Sequence, residues 1–383
     1  RAVEAAAGLV SLHLAARREV EESAWRWLHQ CYAHAERQHY ADIALANERS
    51  CQAVYAEVLL VSLAHPCGLS PRDMTWLQRW ARRWSGKVEL WRSAENGGGI
   101  AVNLEEGCGP AWTAAGVPGA LRFIDCSEVN RSVRRRLRRL SQGADPAELG
   151  LGRDCARPAV DDLLAMLARS WSDQPHARQF PRRASTSTVE VATGIDRAYH
   201  ALHGAAFERE QDVWAYSRRN ADEIHIFQRA VSEVREAQAT PSVEAWEAVD
   251  ESANGFQLVR RGPGTRIAHR QLLALRPRGA SRFILCEVRW LREQPDLALA
   301  VGARALPGAP QGAAIRCVAT EPWQPCFVLP LVDGLPPTLL LGAGVHQPGR
   351  RLELKLDGRS RAIVLGAARR HGADFDWVDF SAA

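Results

Sequence analysis

The first 85 residues carry a helical period. Trp25, Leu28, Cys31 and Tyr32 recur at helical spacing, and Val54, Val58, Leu59 and Ser62 repeat it further along. Gly68-Leu69-Ser70-Pro71 interrupts the pattern as a loop. Ser70 is an N-cap and Pro71 takes the first helical position, so a helix opens there and runs to Trp84. Trp76, Trp80 and Trp84 stand four apart on one face of that helix. The face is expected to pack into a core or a buried domain interface, with a partner-binding groove as the alternative.

The period then shortens to two. Residues 87–91, 100–104 and 121–125 alternate as short strands, the second following Gly97-Gly98-Gly99. A helix with Val129, Val133, Leu137 and Leu140 inward comes next. A Gly/Pro-rich loop leads to another helix over 160–171. Residues 173–183 are a polar linker. Beyond it lie short alternating strands over 186–192, 256–259, 271–275, 283–291 and 297–304, with a helical insert at about 196–240. Residues 313–383 repeat the style, with strands over 326–330, 338–341, 351–356, 362–365 and 375–380. Even spacing of short strands predicts small barrels. The fold class is therefore multidomain α+β: an N-terminal α+β domain (1–172), a small antiparallel β-barrel with a helical insertion (173–312), and a second antiparallel β-barrel-like domain (313–383).

Composition narrows the function. The chain has 383 residues, 46% hydrophobic and 24% charged, as in ordinary globular proteins. No apolar run reaches the 18 residues of a membrane span, so no membrane insertion is expected. Of 49 basic residues only Lys87 and Lys355 are lysine, which points to a GC-rich coding bias. The 44 acidic residues bring the net charge to +5, which excludes a polybasic tail. Nine cysteines include no C-x-x-C pair and no histidine at finger spacing. This argues against a disulfide framework or structural zinc and for reduced thiols in a cytoplasmic protein. A chain that opens on Arg1 reads as part of a longer protein. There is no phosphate loop, no H-E-x-x-H and no G-x-S-x-G, so neither an enzyme nor a bound cofactor is expected.

Two patterns bracket the insert. Arg178-Gln179-Phe180-Pro181-Arg182, followed by Arg183, gives R-x-x-x-R before a strand. Asp250-Glu251-Ser252-Ala253-Asn254-Gly255 gives D-x-S-x-x-G before the next. At this arginine content roughly six chance matches to the first pattern are expected, and about 0.1 to the second, so the second carries the weight. In these residues the chain resembles the PilZ domain, a family of bacterial receptors for cyclic di-GMP. In that family an R-x-x-x-R loop precedes a six-stranded barrel and D-x-S-x-x-G sits at an early strand turn. Residues 264–275, Cys286-Glu287-Val288-Arg289-Trp290 and Ala300-Val301-Gly302-Ala303 fall where the family's later strands run. One departure is the separation of 68 residues between Arg182 and Asp250, longer than the family's usual few tens.

The resemblance implies cyclic di-GMP as ligand and Arg178, Arg182, Arg183, Asp250, Ser252 and Gly255 as its site. An arginine can fork onto a phosphate or onto guanine O6 and N7, and its plane can stack on a base. Asp250 can accept from guanine N1 and N2, Ser252 offers a small hydroxyl, and Gly255 permits close backbone approach or a positive φ. Binding would order the linker and change the domain arrangement, and an unidentified protein partner would read that change. The second barrel lacks both patterns and is expected to bind no nucleotide.

Two readings stand beside this one. The barrel could be a ligand-free scaffold or adaptor. The helix bearing Arg134–Arg139 could serve a nucleic-acid-binding regulator, although a solvated face is the plainer use of those arginines. Ile224, Phe227, Val231 and Val234 keep a 3-4-3 spacing in the insert, which either packs on its own barrel or joins copies into a homo-oligomer.

Overall fold

A computed structural model describes residues 1–44, 49–94, 98–172, 181–203, 243–317, 321–330, 334 and 336–383. The chain divides into two compact units. One is Arg1–Gln179 with Arg292–Leu297, and the other is Phe180–Leu291 with Ala298–Ala383. No helix among the described residues is long and apolar enough to cross a membrane.

The first unit opens with α1 (Ala2–Ala15), α2 (Glu22–Arg37), α3 (Cys51–Leu63) and α4 (Pro71–Trp84). Two of these begin on serine caps. Ser50 accepts from the Ala53 amide and Ser70 from the Asp73 amide, both at 3.1 Å, and Pro71 stands at the first helical position of α4. Trp76, Trp80 and Trp84 are buried and stack in sequence, with ring centroids 6.2 and 5.9 Å apart, and Trp84 meets Trp171 edge-on. Their N–H groups are largely satisfied inside the unit. Trp80 donates to the Leu151 carbonyl and Trp76 to Asp154, each at 2.8 Å. The tryptophan face is thus core.

An antiparallel sheet follows, in the order β1-β4-β2-β3: β1 (Glu89–Trp91), β2 (Gly98–Asn103), β3 (Ala111–Ala114) and β4 (Leu121–Asp125). The strand β3 gave no alternation in the sequence, because it is short and mostly exposed. Helices α5 (Ser127–Ser141) and α6 (Ala159–Ser170) complete the unit, with Val129, Val133 and Leu140 of α5 buried.

A polar network is embedded in this core. His29 is fully buried; its Nδ1 lies 2.6 Å from the Tyr55 hydroxyl and its Nε2 lies 2.8 Å from the Cys108 carbonyl. A neutral imidazole satisfies both, donating from Nε2 and accepting at Nδ1. Tyr55 stacks on Tyr32 at 4.2 Å, and Glu36 accepts from both Nε and Nη2 of Arg122. Burial pulls the His29 pKa below its ordinary 6.5, against a smaller upward pull from the bond to Cys108. The Arg122 hydrogen bond holds Glu36 below its ordinary 4.5.

The second unit holds two closed six-stranded antiparallel barrels. The first is built from β6 (Thr188–Thr193), β7 (Glu244–Ser252), β8 (Gly255–Arg260), β9 (Leu272–Pro277), β10 (Ile284–Glu293) and β11 (Leu299–Ala305). They run in the order β7-β6-β9-β10-β11-β8, and the β7–β8 pairing closes the ring. A two-residue strand, β5 (Arg183–Ala184), lies against β7. The second barrel runs β12-β13-β14-β17-β16-β15, with β12 (Gln311–Arg316), β13 (Gln324–Leu329), β14 (Thr338–Gly342), β15 (Arg351–Leu356), β16 (Arg359–His371) and β17 (Phe375–Ala382). Its first strand straddles residues 312 and 313.

Two of the twelve barrel strands are absent from the sequence pattern. In β7 only Trp246 and Ala248 are buried among Glu244, Glu247, Asp250 and Glu251, so alternation is lost. In β12 the apolar positions are mostly alanine. Of the helical insert, α7 (Ile195–His203) is described; residues 204–242, with the Ile224–Val234 spacing, lie outside the described residues.

The barrels share a core. Leu273 and Leu275 of β9 face into the first barrel, while Leu272 and Ala274 face Phe327 and Leu329 of β13 and Leu340 of β14. Cys326, Val328, Leu339 and Leu341 alternate with these and fill the second barrel. Ala198 and Tyr199 of α7 pack into the same layer, and the Tyr199 ring lies 5.8 Å from that of Phe327.

Two outcomes follow for stability. Phe327→Ala should cost about 3–5 kcal/mol and leave both barrels unfolding in one urea transition, followed by circular dichroism. The melting temperature should also fall from pH 7.5 to 5.5. Because the folded His29 pKa is depressed, the unfolded chain takes up a proton near pH 6.5 that the folded unit refuses, and stability is lost as pH falls. The Glu36 contribution is lost only below pH 4.5. His29→Gln should melt lower at pH 7.5 and show a flatter slope. Part of that slope should survive, because burial lowers His203 as well.

Candidate functional site

The two sequence patterns meet at one end of the first barrel. In β7, Asp250 and Ser252 are two apart and so share a face of the strand. Ser252 pairs with Gly255 across a two-residue turn, and Asp250 pairs with Gln257. A register shift between Ala248 and Asp250 bends β7 just before the turn. The chain ahead of the barrel lies along this bend, with Arg183 opposite Glu251 and Ala184 opposite Asp250. The Ser185 amide donates to the Val249 carbonyl at 2.9 Å.

Arg182 reaches Asp250 from that segment. One terminal nitrogen, Nη1, donates to both carboxylate oxygens at 2.8 and 2.9 Å. Its Nε and Nη2 have no partner among the described residues. The Arg182 side chain is 34% exposed and that of Asp250 is 21% exposed, so solvent screens the pair. Arg183 is exposed and likewise has no ion-pair partner among the described residues. Arg178 lies outside the described residues.

Ser252 and Gly255 set the turn. The Ser252 hydroxyl donates to the Gly255 carbonyl at 3.3 Å and lies 3.4 Å from Asn254 Oδ1. The Asn254 carbonyl in turn accepts from the Ala305 amide at 2.9 Å. A Cβ at Gly255 would stand 2.8 Å from the Ala303 carbonyl oxygen, closer than real side chains come. Its φ is not positive. Of the two roles expected for this glycine, close backbone approach is the one the turn uses.

One further cation stands here that no local pattern could reveal. Arg304 of β11 pairs in register with Gly255 and is exposed, on the side opposite to inward-facing Ala303. Register, not sequence proximity, brings it to the hairpin. The result is an open surface with the Asp250 carboxylate, the Ser252 hydroxyl and the guanidinium groups of Arg182 and Arg304, while Arg183, in register with Glu251, starts from the other face of the strand. Such a set can fork onto phosphate oxygens and accept from ring N–H donors. Cavities of about 320 and 380 Å³ lie elsewhere, lined by Trp323 and Asp196 and by Arg351 and Ser360 respectively.

Residues 1–93 match the family described as "Cyclic-di-GMP receptor FimW, N-terminal domain". That stretch runs from α1 through β1 in the first unit, where the sequence patterns suggested no function. No curated protein matches the chain.

Two substitutions separate the roles of the turn and the ion pair. Gly255→Val should lower stability by about 1–3 kcal/mol, because the branched side chain meets the Ala303 carbonyl. Arg182→Ala should cost at most about 1 kcal/mol, as an exposed pair does. Urea titrations read both.

Proposed function

We propose that the chain is a receptor for cyclic di-GMP, a binding protein and not an enzyme, and that its first barrel takes the ligand as a PilZ domain. The observation that carries this reading is the meeting of Arg182 with Asp250. The insert separates them by 68 residues in the chain, yet the R-x-x-x-R and D-x-S-x-x-G segments lie side by side. The match of residues 1–93 to a receptor family for the same ligand supports it from an independent part of the chain.

The residue chemistry suggests how the ligand is held. Asp250 accepts from guanine N1 and N2. Arg182 keeps two free nitrogens for a phosphate or for guanine O6 and N7 while Nη1 stays on the carboxylate. Arg183 and Arg178 close over the ligand from the preceding segment, Ser252 adds a hydroxyl, and the turn at Gly255 keeps its backbone within reach. Contacts between residues 173–183 and the ligand then change the arrangement of the two units. A protein partner in the cytoplasm reads that change. The second barrel lacks both motifs and binds no nucleotide.

Calorimetric titration with cyclic di-GMP tests the reading. Wild type should bind in the micromolar range or tighter. Arg182→Ala and Asp250→Asn should each weaken binding by at least tenfold, about 1.4 kcal/mol. No heat from wild type at micromolar protein would leave a ligand-free scaffold. Unchanged variants would remove the site while keeping the ligand.

A further inference from the structure

Helix α5 carries six arginines against one glutamate, an excess equal to the +5 net charge of the whole chain. Three of the six are engaged. Arg131 pairs with Glu128, and Arg134 donates to Asn130 Oδ1 at 2.6 Å. Arg136 turns back to the Ser132 and Leu149 carbonyls and lies 5.1 Å over the Trp84 ring. Arg135, Arg138 and Arg139 are exposed and have no partner among the described residues.

With 3.6 residues per turn, Arg131, Arg134, Arg135, Arg138 and Arg139 fall within an arc of about 140°. The buried Val129, Val133 and Leu140 lie opposite. Arg131 and Arg135, Arg135 and Arg139, and Arg134 and Arg138 are like charges at i,i+4, which destabilises a helix. Within α5 only Glu128 offsets them. The unit therefore folds around a repulsion that an anionic partner relieves.

The arc itself selects the partner. It exposes no apolar side chain that could anchor in a lipid surface and no aromatic ring on which a base could stack. Along the chain it is bounded by acidic residues, Asp125 and Glu128 before it and Asp145 and Glu148 after it. Its five arginines are fewer than the roughly 6–10 phosphate contacts of a strongly salt-dependent duplex binder. Three free guanidinium forks fit carboxylates instead. We propose that α5 docks an acidic segment of a protein partner through Arg135, Arg138 and Arg139. This rests on the first unit alone and stands whether or not the barrel binds a nucleotide.

Fluorescence anisotropy with a labelled acidic peptide of about 20 residues, alternating Glu and Ala, tests it on the full chain. At about 50 mM salt the peptide should bind in the micromolar range, and affinity should fall steeply by about 200 mM. The triple variant Arg135→Gln, Arg138→Gln, Arg139→Gln should bind at least tenfold more weakly with an unchanged melting curve. If its melt differs, the single variant Arg138→Gln should still lose about threefold. No peptide binding by wild type overturns the proposal, as does undiminished binding by the variants. So does tighter binding of a duplex of about 20 base pairs, which would make the partner a nucleic acid.

Discussion

Burial of strands on both faces is the constraint on which the second unit depends. Leu272, Leu273, Ala274 and Leu275 of β9 are all inaccessible to solvent, because odd positions fill one barrel and even positions meet the other. Phe327 and Leu329 in β13 and Leu340 in β14 answer them from the second barrel. A strand with no solvent face cannot slip by one residue, since either register would bury the same kind of side chain in a differently shaped space. Polar contacts fix the same joint. The Leu272 amide donates to Asp374 Oδ1 and the Ala373 amide to the Arg270 carbonyl, both at 2.9 Å. Buried Glu287 of the first barrel pairs with Arg370 of the second.

That rigidity bears on the proposed site. Asp250, Ser252 and Gly255 belong to a closed ring, and β8 is tied to β11 along its whole length. They are therefore fixed before any ligand arrives. Arg183 opens a two-residue strand held by two register pairs, and Arg182 stands just before it. A stiff acceptor surface faced by a loosely held basic segment suits a ligand that orders its own cover. The insert between β6 and β7 does not disturb this, because lengthening a loop adds little closure entropy. Helix α7, at the start of the insert, is itself recruited into the core between the barrels.

Much of this was legible in the residues, for physical reasons. The 3.6 period, the Ser70 cap and Pro71 located α4, and the four-residue spacing of Trp76, Trp80 and Trp84 marked a buried face. The strands over 271–275 and 326–330 were expected to alternate, and the structure buries them on both faces because each side meets a barrel interior or the other barrel. Asp250, Ser252 and Gly255 were readable because their pattern is rare. R-x-x-x-R was not readable alone in a chain so rich in arginine, and only the Arg182–Asp250 contact singles one copy out. The strand β7 stayed hidden because its acidic residues break the alternation, and Arg304 because strand pairing across the sheet brings it to Gly255. In residues 1–93 the packing pattern was plain, yet packing residues carry no signature of a ligand.

Hydrogen exchange of the full chain with and without cyclic di-GMP shows whether the first barrel holds the ligand. Slowed exchange is expected in peptides covering 178–187 and 249–257, with β15 and β16 of the second barrel unchanged. Slowed exchange confined to the second barrel or to the first unit would contradict that placement, as would identical exchange at saturating ligand.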